Sequence, residues 1–177
     1  FEEAASLPLV GLTSRQALMD LAGVKPGHRV LIHAGAGGVG TFAVQLAKHL
    51  GAYVATTASA PKHALLKSLG ADEVIDYHKQ DFARVLSGYD MVFDTLGGDT
   101  LMRSFGVLRE GGIVVSVAGP PDIELTRDWP MPAYLKLAIR LISWRVRHAA
   151  RRHHCRYRFM LMQPSGEQLT EIAALID

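Results

Sequence analysis

At 177 residues the chain has one domain's worth of sequence, and its 49% hydrophobic content suits a globular α/β protein with a full core. The single cysteine excludes an internal disulfide framework and any multi-cysteine zinc site built from this chain alone. A net charge of +2 conceals an asymmetry: residues 127–158 carry nine Lys and Arg against one acid, +8, which leaves −6 for the remainder.

No secretory pattern is present and every long apolar run is broken by charge, so the expected protein is cytoplasmic and does not span a membrane. Residues 1–8 read as the middle of something, and the chain is expected to be an excised domain. Residues 14–22 predict a short helix with Thr13 or Ser14 as N-cap and Gly23 at its end. Lys25-Pro26-Gly27 is a turn into the first strand, the apolar run Val30, Leu31, Ile32.

A glycine cluster follows. Gly35, Gly37 and Gly40 meet the G-x-G-x-x-G spacing, with Gly38 and Val39 between them, where the strand ends and a helix begins. Such a turn offers backbone N–H groups to a phosphate at the positive end of a helix dipole. Gly35 is assigned the tight turn, Gly37 the approach of a pyrophosphate, and Gly40 the close packing of helix on strand. Val39, Phe42, Ala43, Leu46, Ala47 and Leu50 recur at three and four as one apolar face, and Gly51 ends the helix. The strand, turn and helix context makes this a dinucleotide site.

The pattern then repeats. Residues 53–57 are a second strand, and Pro61 opens a helix holding Leu65, Leu66 and Leu69 that closes at Gly70. Residues 73–77 are a third strand and 82–86 a short helix. Asp-Met-Val-Phe-Asp (90–94) is a fourth strand, Gly97-Gly98 turns into a helix with Leu101, Met102, Phe105 and Leu108, and Gly111-Gly112 leads into a fifth strand at 113–118. Alternating strands and helices predict a Rossmann-type, doubly wound, six-stranded parallel sheet, order 3-2-1-4-5-6, with helices on both faces and ligand at the switch point beside the first strand.

The sixth strand is delayed by an insertion, about 120–155. Its helical part, 133–150, is apolar nearly all round (Leu135, Leu137, Ala138, Ile139, Leu141, Ile142, Trp144, Val146) and is expected to pack against more than one surface. Residues 156–162 are strand six, and Ser165 caps a last helix whose core face is Leu169, Ile172, Ala173 and Ile176.

The runs Gly-Leu-Thr-Ser-Arg-Gln-Ala-Leu (11–18), Ala-Gly-Ala-Gly-Gly-Val-Gly (34–40), Leu-Gly-Ala-Asp-Glu-Val-Ile-Asp-Tyr (69–77) and Asp-Thr-Leu-Gly-Gly (94–98) resemble the cofactor domain of medium-chain dehydrogenases/reductases, of the zinc-type alcohol dehydrogenase-like superfamily. Within it the chain looks like the quinone-oxidoreductase branch, and residues 157–177 are similar to its reticulon-interacting, mitochondrial-type members. The resemblance implies a two-domain reductase whose N-terminal substrate domain is absent from this chain.

The choice of dinucleotide is legible without the family. An NAD site places Asp or Glu at the end of the second strand to hold both ribose hydroxyls. Here that position reads Thr56, Thr57, Ala58, Ser59, and no acid occurs from Ala34 to Ala71. Thr57 is counted in the site. A 2′-phosphate suits Ser59 as donor and Lys62 as a point charge, so NADPH is the expected cofactor; N-capping by Ser59 and a solvated Lys62 are the plainer alternatives. The resemblance implies that Ser59, Lys62 and Tyr77 surround that phosphate. It also implies that Thr13 touches the nicotinamide end, Thr95 and Leu96 the loop after strand four, and Val117 and Ala118 the nicotinamide ribose or carboxamide.

His33 has no partner placed by sequence and is expected to be a neutral, packed or exposed histidine. His148, His153, His154 and Cys155 match no zinc spacing and read as solvated helix-end residues. No catalytic residue and no metal ligand is assigned. Hydride transfer is the cofactor's chemistry, so the expected parent is an NADPH-dependent reductase of quinones or activated alkenes and carbonyls, and the isolated chain is expected to be inactive. A non-enzymatic NADPH-binding module, or a zinc-dependent alcohol dehydrogenase with its metal site in the missing domain, stay open. The aromatics among the 127–158 arginines (Trp129, Tyr134, Trp144, Tyr157, Phe159) fit core positions, so neither nucleic acid nor membrane is an expected partner. A homodimer through strand 156–162 is expected, since Tyr157, Phe159 and Leu161 would lie uncovered on a free sheet edge.

Overall fold

The computed structural model describes residues 2–124 and 131–176, with side chains from Leu7 to Leu175. Arg127, Asp128 and Trp129 of the basic stretch lie outside the described residues. Six parallel strands form one sheet: β1 (Arg29–Ile32), β2 (Tyr53–Ala58), β3 (Glu73–Asp76), β4 (Tyr89–Asp94), β5 (Leu108–Ser116) and β6 (Arg156–Phe159), in the order β3-β2-β1-β4-β5-β6. The expected doubly wound architecture is the one observed. The helices are α1 (Glu2–Arg15), α2 (Gly38–His49), α3 (His63–Ser68), α4 (Phe82–Val85), α5 (Gly98–Ser104), α6 (Ala133–Ile142), α7 (Trp144–Arg152) and α8 (Gly166–Ile176).

The sheet divides two cores because successive strand residues point to opposite faces. Val30 and Ile32 of β1 join Ala43, Ala47 and Leu18 on the side of α1 and α2. Leu31 joins Phe82, Leu101, Phe105 and Val146 on the side of α4, α5 and α7. At Tyr89 and Met91 the β4–β5 register shifts, and the residues between Leu108 and Ile113 loop out around Gly111 at φ +76°, so β5 starts five residues before the expected 113.

Four expectations are corrected. Thr13 and Ser14 are not caps: α1 runs through Pro8 and continues as a π-helical turn, Gln16–Leu21, and Thr13 Oγ1 donates back to Leu9 O at 2.6 Å. Gly11 permits this, since a Cβ there would sit 3.1 Å from Ile172 on α8. The insertion helix is two helices broken at Ser143, whose hydroxyl donates to Ile139 O at 2.6 Å, the back-bonding that bends helices. Among the described residues α6 buries no side chain, where packing on several surfaces was expected, and only Val146 and Ala150 of α7 enter the core. β6 ends at Phe159, with Tyr157 and Phe159 half-buried and Leu161 exposed. Tyr157 Oη donates to Pro120 O at 2.7 Å and its ring lies 6.3 Å from Phe105.

Elsewhere Leu65 of α3 and Ala173 of α8 face outward, while Leu66 and Ile172 take the core positions. Ser165 does cap α8, accepting from Gln168 N at 3.3 Å. No described helix is long and apolar enough to cross a membrane.

Candidate functional site

The carboxyl ends of β1, β2 and β4 meet at the switch point, where connections leave to opposite faces and a crevice opens. The turn from β1 to α2 is built by sterics. A Cβ on Gly35 would lie 2.0 Å from Thr56 Oγ1, itself held by donation to Ile32 O at 2.7 Å. A Cβ on Gly40 would lie 2.4 Å from Ala34 O and 2.7 Å from Gly35 Cα, so Gly40 brings α2 against the turn as its spacing predicts. Gly35 differs from its assigned role: the left-handed residue of the turn is Ala34, at φ +50°, and Gly35 is required by the threonine beside it. Gly37 and Gly38 are exposed. Gly37 precedes α2 with no side-chain cap, so the first amides of the helix, from Gly38, Val39 and Gly40, face outward at its positive end.

A cleft of about 690 Å³ opens beside the turn, lined by His33, Ala34, Thr57, Tyr77, Leu96 and Arg103 among others. The parallel register pairs Ala58 with Asp76, which sets Ser59 and Tyr77 side by side just past the ends of β2 and β3. Ser59 is half-buried and makes no capping hydrogen bond; Lys62 is exposed on the 3₁₀ turn Ala60–Lys62. Tyr77 is 58% exposed and leans on His78 with ring centroids 4.3 Å apart. Two acids stand near: Asp76, whose Oδ1 accepts from the His78 amide at 3.1 Å, and Asp81, which lines the cleft, pairs with Arg103 and accepts from the Ala83 amide at 3.0 Å.

The structure brings only part of the expected set onto the cleft. Thr57, Tyr77 and Leu96 line it, whereas Thr13 is buried with its hydroxyl committed to Leu9. Ser14, next to it, donates to Val39 O at 3.3 Å, which seats α1 over the glycine turn. Thr95 Oγ1 donates to His33 O at 3.1 Å. Val117 is half-buried and Ala118 exposed, at the neighbouring strand end.

Two polar features have partners that the sequence reading did not place. Asp94 is fully buried; it accepts from the amides of Leu96 and Gly97 and from Ser116 Oγ at 2.6 Å. Ser116 Oγ in turn accepts from the amides of Ala118 and Gly119. One carboxylate thereby shapes the loops after both β4 and β5, and Gly97, at φ +69°, leaves room for Ala118 O, which a Cβ would approach to 2.6 Å. The signal available was the strand-ending Asp of Asp-Thr-Leu-Gly-Gly. The second feature is His33, fully buried between Thr57 and Ser104. Burial pushes its pKa down to about 4, against the opposing pull of Asp94.

His148 stacks on Trp144 at 5.5 Å, and Cys155 Sγ donates to His153 O at 3.1 Å. Among the described residues no three His, Cys, Asp or Glu side chains are grouped to hold a metal ion.

Comparison with known proteins agrees with the fold. The chain is similar to the quinone oxidoreductase from Coxiella burnetii, at 42% identity and TM-score 0.79 over 97% of this chain and 48% of that one. It is similar to the quinone oxidoreductase from Thermus thermophilus, described also in complex with NADPH, at 29% identity and TM-score 0.70 over 99% and 52%. It is 33% identical over 184 residues to the mitochondrial NAD(P)H oxidoreductase RTN4IP1 of Mus musculus, a match that covers 99% of this chain and 46% of that protein. The chain spans about half the length of these relatives. The family described as zinc-binding dehydrogenase matches residues 38–153. Because that match takes in every strand from β2 to β5, the chain belongs to the medium-chain dehydrogenase/reductase family of oxidoreductases.

Proposed function

We propose that this chain is the NADPH-holding half of a reductase that delivers hydride to a quinone or to an activated alkene or carbonyl, with the substrate held by a separate N-terminal domain. The observation that carries the choice of phosphate is the end of β2. Where a carboxylate would hold the ribose of NAD, the strand runs out into Ser59, whose hydroxyl caps nothing, with Lys62 exposed one turn on and Tyr77 on the adjoining strand end. A hydroxyl and an ammonium suit a 2′-phosphate, and the nearby carboxylates are engaged elsewhere, Asp76 by its own turn and Asp81 by Arg103, Arg84 and the Ala83 amide.

When bound, the cofactor supplies the hydride, and the protein's part is to bind and orient it. The outward amides of α2 and the exposed Gly37, which carries no side chain, suit a pyrophosphate. Thr57, Tyr77 and Leu96 offer a wall for the adenosine half, and the loops held by Asp94 and Ser116 present Thr95, Val117 and Ala118 toward the nicotinamide half. Among the described residues no three His, Cys, Asp or Glu side chains are grouped as ligands for the zinc that the family's description names.

A calorimetric titration of the purified chain should show NADPH bound at least about tenfold more tightly than NADH, about 1.4 kcal/mol, with Lys62→Ala narrowing the gap. Equal affinities in the wild type overturn the assignment. Two copies of the chain are further proposed to associate through the free edge of β6.

A further inference from the structure

His33 follows β1 at the floor of the cleft, and every polar atom it has is engaged. Its N–H donates to Phe93 O at 3.0 Å and its carbonyl accepts from Thr95 Oγ1 at 3.1 Å. Nδ1 lies 3.3 Å from Thr57 Oγ1 and Nε2 lies 3.0 Å from Ser104 Oγ, while the ring edge meets Phe82 with centroids 4.7 Å apart. These partners sit on β2, β4, the loop after β4, α4 and α5, so one residue touches nearly every segment that borders the cleft.

The hydroxyls fix which way the side-chain bonds run. Ser104 Oγ lies 2.7 Å from Thr100 O, a carbonyl that can only accept, so the serine's one hydrogen goes there. Toward His33 it can then only accept, and Nε2 must carry a hydrogen. Burial keeps the ring neutral, which leaves Nδ1 as an acceptor for the Thr57 hydroxyl. Thr57 Oγ1 in turn accepts the Ala34 amide at 3.1 Å, and Thr57 O accepts the Gly35 amide at 3.1 Å. Ala34 is where such help matters, because a residue with a Cβ resists φ +50°.

We propose that His33, as the Nε2–H tautomer, is the positioning residue of the dinucleotide site: through the Thr57 hydroxyl it holds Ala34 left-handed and sets the glycine turn, and through Ser104 it ties that turn to α5 across the cleft. The proposal rests on reading the glycine turn as the dinucleotide site. It concerns a side chain that orients the turn without itself contacting the reacting atoms.

The tautomer is read directly from the long-range 15N–1H histidine spectrum of the free chain. Expected are a protonated Nε2 and a bare Nδ1 for His33; the Nδ1–H form overturns the proposal. Three variants separate positioning from bulk packing. Thr57→Val keeps shape and removes the hydroxyl. His33→Asn keeps an acceptor near Nδ1, and His33→Gln keeps a donor near Nε2. Thr57→Val and His33→Gln should quicken amide exchange at Ala34 and Gly35 and weaken NADPH binding about tenfold, the scale of one lost hydrogen bond, while His33→Asn stays within about threefold of wild type. A merely structural role favours Gln, which loses less volume, so equal losses or the reverse order overturn the proposal. Failure of the wild type to bind any dinucleotide would overturn the proposed function alone, because tautomer and amide exchange still decide the role of His33 in the turn.

Discussion

Gly37 and Gly40 are three residues apart and do opposite work. At Gly40 a methyl group would enter the backbone of Ala34 and Gly35, neither of which can move aside, whereas Gly37 is exposed and its nearest neighbour to a Cβ is Ala34 O at 3.3 Å. Gly40→Ala should therefore cost on the order of 1–3 kcal/mol of stability in urea unfolding. Gly37→Ala should cost less stability than Gly40→Ala, because Ala34 O need give only a few tenths of an ångström, and should weaken NADPH in calorimetry, since its methyl group stands where a pyrophosphate would approach. His33 adds a pH dependence. Its pKa is about 4 in the folded chain against an ordinary 6.5, so between those pH values only the unfolded chain takes up the proton. Stability is then fully present above about pH 6.5 and lost as pH falls through about 4. By pH 4.5 the wild type should have lost about 2 kcal/mol more than His33→Asn, each relative to pH 7, in parallel urea titrations.

At the scale of elements, apolar periodicity located α2, α3, α5 and α8 and misjudged α6 and α1. The spacing in 133–150 matches a buried helix, yet Tyr134, Leu137, Leu141 and Ile142 of α6 are all more than half exposed. Periodicity reports that an apolar face exists, and whether a surface lies opposite it is a property of the assembled fold. Leu137→Glu on α6 should change stability by less than about 0.5 kcal/mol, as for other solvent-facing positions. Val146→Ala on α7, in the core with Phe105 and Leu101, should cost about 1–3 kcal/mol; the two unfolding curves compared side by side test the difference. α1 was misjudged for the converse reason. The sequence reading placed a helix only at 14–22, but packing on α2 and α8 carries α1 through Pro8 and Gly11, with Gly11 making the close approach.

The whole molecule ends its sheet at β6, which has a neighbour on one side only. Like charges on Arg156 and Arg158 would oppose self-pairing, but Arg158 is engaged by Asp122 and Glu124, leaving Arg156 exposed. Asp122 also accepts the Phe159 amide at 3.2 Å, so the edge is closed there and any pairing with a second copy runs toward Arg156 and Tyr157. Sedimentation equilibrium at micromolar concentration should show a dimer that tightens with added salt, because screening relieves Arg156 facing its own copy. A monomer throughout overturns the pairing, and a dimer loosened by salt places the contact elsewhere. The six strands, their order, the switch point and the helix-packing role of Gly40 were legible in the sequence, because hydrophobic period and glycine spacing are local signals and the crossover rule converts their order into topology. Only the tertiary structure decided the roles of His33, Asp94 and Gly35. Thr57 and Ser104 lie 24 and 71 residues from His33, Ser116 lies 22 from Asp94, and Thr56 stands on β2 while Gly35 lies in the turn after β1; no local pattern states which side chains strand register will set face to face in a dry interior.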